Sequence, residues 1–346
     1  MPVKERTAIR IGSVSAERGQ IARGFLDVGE TATGPVQMPL VVINGVHDGS
    51  TLCLTAGVHA TEYASIAAVM RLTNELQPTE LRGSVIAVPI VNLHMFAARS
   101  PFISPLDGVN LNKIAPGGEG SISAILAQAL FDEVITKAQY HIDFHAGDFG
   151  EMLLAFAGYS LTGNDTLDRQ GEALARIFTP RVFCLAPPGT TLPPSPGFVA
   201  HAAAHKGVVS ILAEAGGNGT LEEADIQVHV EGARNVMRYL GMIEGEPRVS
   251  GPRLVATDWH NTRASRAGML RLKVAVGDQV SAGQEVAEVL DVFGRTVETV
   301  RAAKPGLAML VWNYKAVNTG DPIVRCWSTA PATPFPETDR FVRARL

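Results

Sequence analysis

The feature that most constrains this chain is a change of periodicity near residue 245. Before it, short apolar runs alternate with helical stretches; after it, helical periodicity vanishes. SVIAVPIVN (84–92), QYHIDFH (139–145), EMLLAFA (151–157), RVFCLA (181–186) and VVSILAE (208–214) read as strands. Apolar residues at helical spacing cover about 61–75, 122–137, 166–178, 198–206 and 222–240. Near-continuous apolar strands alternating with helices predict an α/β fold: a mixed, largely parallel sheet flanked by helices on both faces. Ligands of such sheets bind beyond the carboxyl ends of the strands, so polar residues there are where chemistry is expected. Upstream, residues 8–45 read as irregular β structure. QMPLVVING (37–45) and STLCLTAG (50–57) flank His47, Asp48 and Gly49, a turn signal that predicts a hairpin.

Residues 1–245 are therefore expected to form the α/β domain, with 1–36 as an N-terminal β extension. Residues 246–346 are expected to form a small C-terminal all-β barrel or sandwich. Within that tail AGMLRLKVAVGDQVSAG (267–283) and PGLAMLVWNYKAVNTGD (305–321) resemble one another, which suggests an internal duplication. A length of 346 residues suits one large domain with a smaller one. The formal net charge of −4 leaves no basic excess to neutralise phosphates, so no nucleic-acid partner is expected. The opening MPVKERTAIRIG lacks the apolar stretch of a signal peptide, and no run of about 18 apolar residues occurs. No membrane association and a cytoplasmic location are the expectations. Cys53 and Cys184 sit inside apolar runs and read as small buried hydrophobes, with no disulfide framework.

Three strand ends carry polar residues that an inert scaffold has little reason to place there. In GVHATEYAS (57–65), His59 and Glu62 stand three apart at the opening of a helix, so both side chains can point to one side. An imidazole and a carboxylate so placed make a two-point grip for zinc, although a local cap or surface hydrogen bond has the same spacing. In HIDFHAGD (141–148), alternation puts His141, Asp143 and His145 on one face of a strand. His145, last in the strand, is best placed as a third ligand, with Asp143 as the acceptor that orients a ligand imidazole. His141 reads instead as a solvent-facing strand residue. In SILAEAGGNG (210–219), Glu214 follows a buried apolar strand and precedes a glycine-rich turn. A carboxylate there is costly to desolvate without a task or partner, and near an activated water it could act as general base and then general acid. Two histidines, one ligand glutamate and a further glutamate are what a hydrolytic zinc site requires.

The order His-x-x-Glu, an Asn-containing loop, Asp-x-His and a glutamate in a Gly-rich turn resembles the succinylglutamate desuccinylase/aspartoacylase family, within the zinc carboxypeptidase-like folds. The likeness covers roughly residues 40–242, and a β-rich tail is expected with it. It implies one zinc ion per subunit held by His59, Glu62 and His145, with Glu214 as acid and base, and hydrolysis of the amide bond of a small N-acyl amino acid. It also implies substrate-binding groups between the first two motifs, in FAARSPFISPLDGVNLNKIAPG (96–117). Arg99 and Asn112 fall on family positions, Arg99 as a candidate for the oxyanion or the substrate carboxylate. Lys113 stands where an arginine is expected; it keeps the charge but loses the bidentate fork. Length and tail are most similar to bacterial deacetylases of N-acetylated diamino acids. A homo-oligomer is expected.

The tail is similar to the biotinyl/lipoyl-type barrel, yet the stretch LDVFGRTVETV (290–300) has no lysine, so a carrier role is not expected. Trp312 and Tyr314 read as packing residues that could reach a site. The Pro-rich APPGTTLPPSPG (186–197) is either a pocket-lining loop or a mere connection. His201 and His205, four apart on a helix, could bind metal but read more simply as a satisfied or solvated pair. Two rival functions remain: a metallocarboxypeptidase cutting a C-terminal peptide bond, and a non-catalytic binding protein on the same scaffold.

Overall fold

Two short strands, β1 (Ala8–Ile11) and β2 (Val14–Glu17), form their own antiparallel pair. The longer β3 (Gln20–Thr31) and β4 (Gly34–Asn44) follow. Next come β5 (His47–Ala56), α1 (Tyr63–Glu75), β6 (Arg82–Val88), the short α2 (Leu93–Ala98), α3 (Ile122–Ala129) and β7 (Tyr140–His145). The α/β part continues with β8 (Glu151–Tyr159), α4 (Asp165–Phe178), β9 (Val182–Leu185), α5 (Val199–His205), β10 (Val209–Gly217) and α6 (Glu223–Tyr239). The tail is all strand: β11 (Leu254–Arg263), β12 (Gly268–Leu272), β13 (Gln279–Val280), β14 (Glu285–Leu290), β15 (Thr296–Arg301), β16 (Gly306–Trp312), β17 (Ala316–Val317) and β18 (Pro322–Pro331). This computed structural model describes residues 8–178, 182–185, 197–248 and 253–332; the Pro-rich segment 186–196 and the Cys184 side chain lie outside the described residues.

A mixed twelve-stranded sheet organises the molecule, in the order β3-β4-β6-β5-β7-β10-β8-β9-β11-β18-β16-β13. Its centre, β6-β5-β7-β10, is parallel throughout. These are the strands whose aliphatic runs are buried on both faces, as a sheet covered on both sides demands. Period-two alternation divides their side chains between two cores. Val41 and Ile43 of β4 join the core under α1, α4 and α6, whereas Met38, Leu40 and Val42 join the core under α3 and α5. The helices answer with one apolar stripe each: Ile66, Val69 and Leu72 on α1, and Ile226, Val230, Ala233 and Met237 on α6. Each fully buried Leu, Ile or Phe contributes about 1.5–3 kcal/mol to stability.

One local expectation fails. Residues 37–45 and 50–57 do not form a hairpin, because β6 lies between β4 and β5, antiparallel to the first and parallel to the second. The His47–Gly49 stretch belongs to β5, where the register against β6 shifts between His47 and Thr51. A turn signal reports only local backbone preference; the SVIAV run, apolar on both faces, is better accommodated between two strands than at an edge.

The tail is stitched into the same sheet. β8 pairs with β16 through Glu151–Leu153 and with β9 through Phe156–Tyr159, and β9 in turn pairs with β11. With β11–β18 and β18–β16, these pairings close a ring of five strands. Leu307, Met309 and Trp327 from the tail pack there against Leu154, Phe156 and Leu254. A second sheet, β15-β14-β12-β17, completes the tail. The two similar stretches pair reciprocally: Gly268 lies opposite Val317, and Gly306 opposite Val280. That symmetry is what a duplicated half-unit produces.

Candidate metal centre and its cleft

The parallel strands change direction of progression at β5, which has β6 on one side and β7 on the other. Such a switch point leaves a crevice at the carboxyl ends of the strands. The loop leaving β5 enters it through Gly57, whose φ of +66° and close approach to Ile90 suit a residue without a Cβ. His59 and Glu62 follow, Glu62 as the residue preceding the first turn of α1. His145 ends β7, and Glu214, on β10, is its register partner. His59, Glu62 and His145 are all buried, and their ligand atoms lie within 4.8 Å of one another.

The orientation of the two imidazoles is informative. Each turns its Nδ1 toward the Glu62 carboxylate, His59 at 2.8 Å from Oε1 and His145 at 2.9 Å from Oε2. Each has its Nε2 held from behind, His59 by the Asn110 side-chain oxygen at 3.1 Å and His145 by Asp143 Oδ2 at 3.2 Å. Outer partners of this kind fix the tautomer and aim of metal-ligating histidines. Asp143 is itself held by the Thr55 hydroxyl at 2.6 Å. Thr55 also meets His141 Nε2 at 2.8 Å, and His141 Nδ1 meets the Ser210 hydroxyl at 2.9 Å. His141 is therefore fully buried rather than solvent-facing, because β7 is a central strand with β5 and β10 on its flanks. Burial pushes it down to about 4, so it serves the network as a neutral imidazole.

The electrostatics call for a cation. Burial opposes ionisation of Glu62, but the His145 and His59 imidazoles overcome it and hold the carboxyl at about 2. Burial would lower His145, yet the Glu62 and Asp143 carboxylates outweigh it and push the imidazole well above its usual range. A divalent ion among these three residues would satisfy the same negative field, and the donor set of two imidazole nitrogens and a carboxylate oxygen is one that zinc accepts. In the same cleft, beside His145, Glu214 has a buried Oε2 with no hydrogen-bond partner among the described residues. Burial, reinforced by Glu62 and Glu151, lifts its pKa well above the carboxylate range.

The cleft in front of these groups has a volume of about 280 Å³. A larger hollow of about 630 Å³, lined by His47, Arg82 and Arg238, lies at the amino ends of β5 and β6 and is separate from this cluster. Asn112 and Lys113 line the cleft, although the Asn112 oxygen is already occupied by the Val199 amide at 2.8 Å. Arg99 caps α2 with a left-handed φ of 53°, is exposed, and is not among the residues lining the cleft. Sequence reasoning missed Asn110, for which the doublet Asn110-x-Asn112 was the available signal. It also missed Glu151 and Arg325, which line the cleft and have no motif of their own. Trp312 reaches this neighbourhood by donating its indole N–H to Glu151 Oε1 at 3.1 Å. His201 and His205 pack ring against ring at 4.4 Å, but neither nitrogen of the buried His201 has a partner among the described residues, so the pair is not internally satisfied.

The fold and the site define a class: an α/β protein with an imidazole–carboxylate–imidazole cluster at the switch point of its sheet and an unpartnered glutamate beside it. Residues 48–240 match the model of the succinylglutamate desuccinylase/aspartoacylase catalytic domain, and the chain belongs to that family. N-alpha-acetyl-L-2,4-diaminobutyric acid deacetylase of Halomonas elongata is 28% identical over 334 residues, covering 93% of this chain and 96% of that protein. A succinylglutamate desuccinylase/aspartoacylase from Rhodobacter sphaeroides superposes with a TM-score of 0.81 at 22% identity, over 93% of this chain and all of that one (100%). The product-bound ectoine utilization protein EutE (DoeB) from Ruegeria pomeroyi superposes with a TM-score of 0.80 at 22% identity, over 94% and 99% of the two chains. Among the described residues, no helix is long and apolar enough to cross a membrane.

Proposed function

We propose that this protein is a zinc-dependent deacylase that hydrolyses the amide bond of a small N-acyl amino acid. The observation that carries the proposal is the convergence of His59 Nδ1, Glu62 and His145 Nδ1 beside the unpartnered Glu214 carboxyl. Family membership and the named activity of the Halomonas relative support it. His59, Glu62 and His145 would hold the ion, and bound zinc supplies Lewis acidity and a more acidic water. Glu214 removes the proton from the water as its oxygen attacks the amide carbon, then returns a proton to the departing nitrogen as the C–N bond breaks. The products are the free amine and the carboxylic acid of the acyl group, so one water is consumed and no redox partner is needed. The high proton affinity of Glu214 in its buried position suits the second step, and a nearby dication would bring it down toward the range a base requires. Asn112 and Lys113 are assigned to substrate binding.

The test is turnover of a panel of N-acetyl and N-succinyl amino acids, set against blocked dipeptides, after bound metal has been measured. Glu214→Gln should retain the metal and lose about 10²–10⁴-fold in kcat. Metal-loaded Glu214→Gln with turnover near wild type would remove the glutamate from this role.

A further inference from the structure

Helix α5 has little to hold it to the sheet. Its sequence, VAHAAAH (199–205), contributes only Val199, Ala202 and Ala203 to the core under α3 and α5. So short a segment is not helical without tertiary support, and three small side chains bury little area. The polar side chains of the helix are two imidazoles, His201 and His205, one turn apart and therefore on one side of it.

His201 is the anomaly. It is 7% exposed, yet neither Nδ1 nor Nε2 has a hydrogen-bond partner among the described residues. The His205 ring lies against it, with centres 4.4 Å apart and planes at 61°. His205 is exposed, and its side chain likewise makes no hydrogen bond or ion pair among the described residues. A neutral imidazole carries one N–H and one lone pair. A lone pair left unsatisfied in the interior is costly, and a bound cation removes that cost while the second nitrogen keeps its proton.

Two imidazoles on adjacent helical turns can chelate a late first-row divalent ion. With metal–nitrogen bonds of about 2.0–2.1 Å, the two ring centres stand about 4.5 Å apart at a right-angled N–metal–N and about 5.2 Å apart at a tetrahedral one. The observed 4.4 Å matches the first arrangement. The Irving–Williams order agrees, placing copper(II) and nickel(II) well for such a pair. Among the described residues no further His, Cys, Asp or Glu joins the two in a cluster, so water or a small anion would complete the coordination. Neither histidine lines the cleft, and the pair is distinct from His59, Glu62 and His145.

We propose that His201 and His205 form a second metal site, a two-imidazole chelate that takes nickel(II) or copper(II) ahead of zinc(II) and staples the last turn of α5 to the one before it. The start of the same helix carries the effect toward the cleft. Gly197 exchanges backbone hydrogen bonds with Ala115 at 2.9 and 3.1 Å, the Val199 amide donates to Asn112 Oδ1 at 2.8 Å, and the Phe198 ring centre lies 4.3 Å from the Lys113 ammonium. An ion that orders α5 therefore also steadies the segment carrying Asn112 and Lys113. The inference is independent of the deacylase reading.

The probe is nickel(II), titrated calorimetrically into the untagged full-length protein already holding one equivalent of zinc. Wild type should bind one further ion, and His205→Ala should weaken that event by about tenfold or more. Because His205 is exposed, its loss should leave the thermal melt of the nickel-free protein unchanged, which separates lost binding from lost folding. The double variant His205→Ala/Lys206→His keeps the number of imidazoles but turns the second off the shared side, and should not recover binding. Amide hydrogen exchange across 199–205 should slow when nickel is added to wild type and stay unchanged in His205→Ala. The same isotherm for wild type and His205→Ala, or recovery by the displaced histidine, overturns the inference. Excess zinc that displaces nickel from the site at equal concentration overturns the metal preference. Turnover of an amide, or its absence, enters neither outcome.

Discussion

Replacing Asp143 with asparagine removes one negative charge from behind the candidate metal centre while keeping the side-chain shape. Asp143 is fully buried, accepts the Thr55 hydroxyl at 2.6 Å, and faces His145 Nε2 at 3.2 Å. With a full charge on the imidazole and an effective dielectric of about 20, the Coulomb energy at that separation is about 5 kcal/mol. That is an upper bound, since a neutral ligating imidazole carries only part of a charge. Outer partners of metal-bound histidines are generally worth 10–100-fold in affinity, or about 1.4–2.7 kcal/mol. Asp143→Asn should therefore raise the zinc dissociation constant about 10–100-fold, measured by competition with a chelating dye at fixed pH. The circular dichroism spectrum should be retained, because the asparagine oxygen can still accept from Thr55. A dissociation constant within twofold of wild type would refute the reasoning that Asp143 supports a metal ligand.

Two further outcomes follow from the same structure. Gly83 has a φ of +83°, and a Cβ there would lie 1.9 Å from the Ser50 carbonyl oxygen. Gly83→Ala should cost about 3–5 kcal/mol in urea unfolding, the sum of left-handed strain and overpacking against backbone that cannot yield; a loss under about 1 kcal/mol would show that β5 and β6 can separate freely there. Burial, and then the Glu62 charge, raise the Glu151 carboxyl from 4.5 to about 6 in the metal-free protein. Its protonated form therefore favours folding, an advantage present below about pH 4.5 and gone above about pH 6. Glu151→Gln should stabilise the metal-free chain by about 2 kcal/mol at pH 8 and by little at pH 4; equal stabilities at pH 8 would contradict it.

Much of the scaffold and the core of the site was legible in the sequence. The helices over 63–75, 165–178 and 223–239 and the strands ending at His145 and carrying Glu214 follow from periodicity, which is a local property of the chain. His59, Glu62 and His145 were readable for a related reason: each stands next to the end of a recognisable strand or the start of a helix, and in α/β sheets those ends converge. Asp143 followed from alternation along β7. Arg325 gave no such signal. In PIVRCW it is one polar residue in an alternating strand, and nothing local distinguishes a cation turned to solvent from one turned into a cleft.

What the amino-acid sequence determined by itself, then, was most of the helices and central strands of the α/β part and the chemical identity of the metal-binding candidates. Only the tertiary structure decided which strands are neighbours: β6 between β4 and β5 where a hairpin was expected, β16 and β11 joined to β8 and β9, and His141 sealed between Thr55 and Ser210. The physical reason is that a strand's own pattern is the same whoever pairs with it. Partner choice is settled by burying two faces of the whole sheet at once, which is a property of residues far apart in the chain. The charges lining the cleft inherit that non-locality, since Glu151 and Arg325 come together through the pairing of β8 with β16 and of β16 with β18.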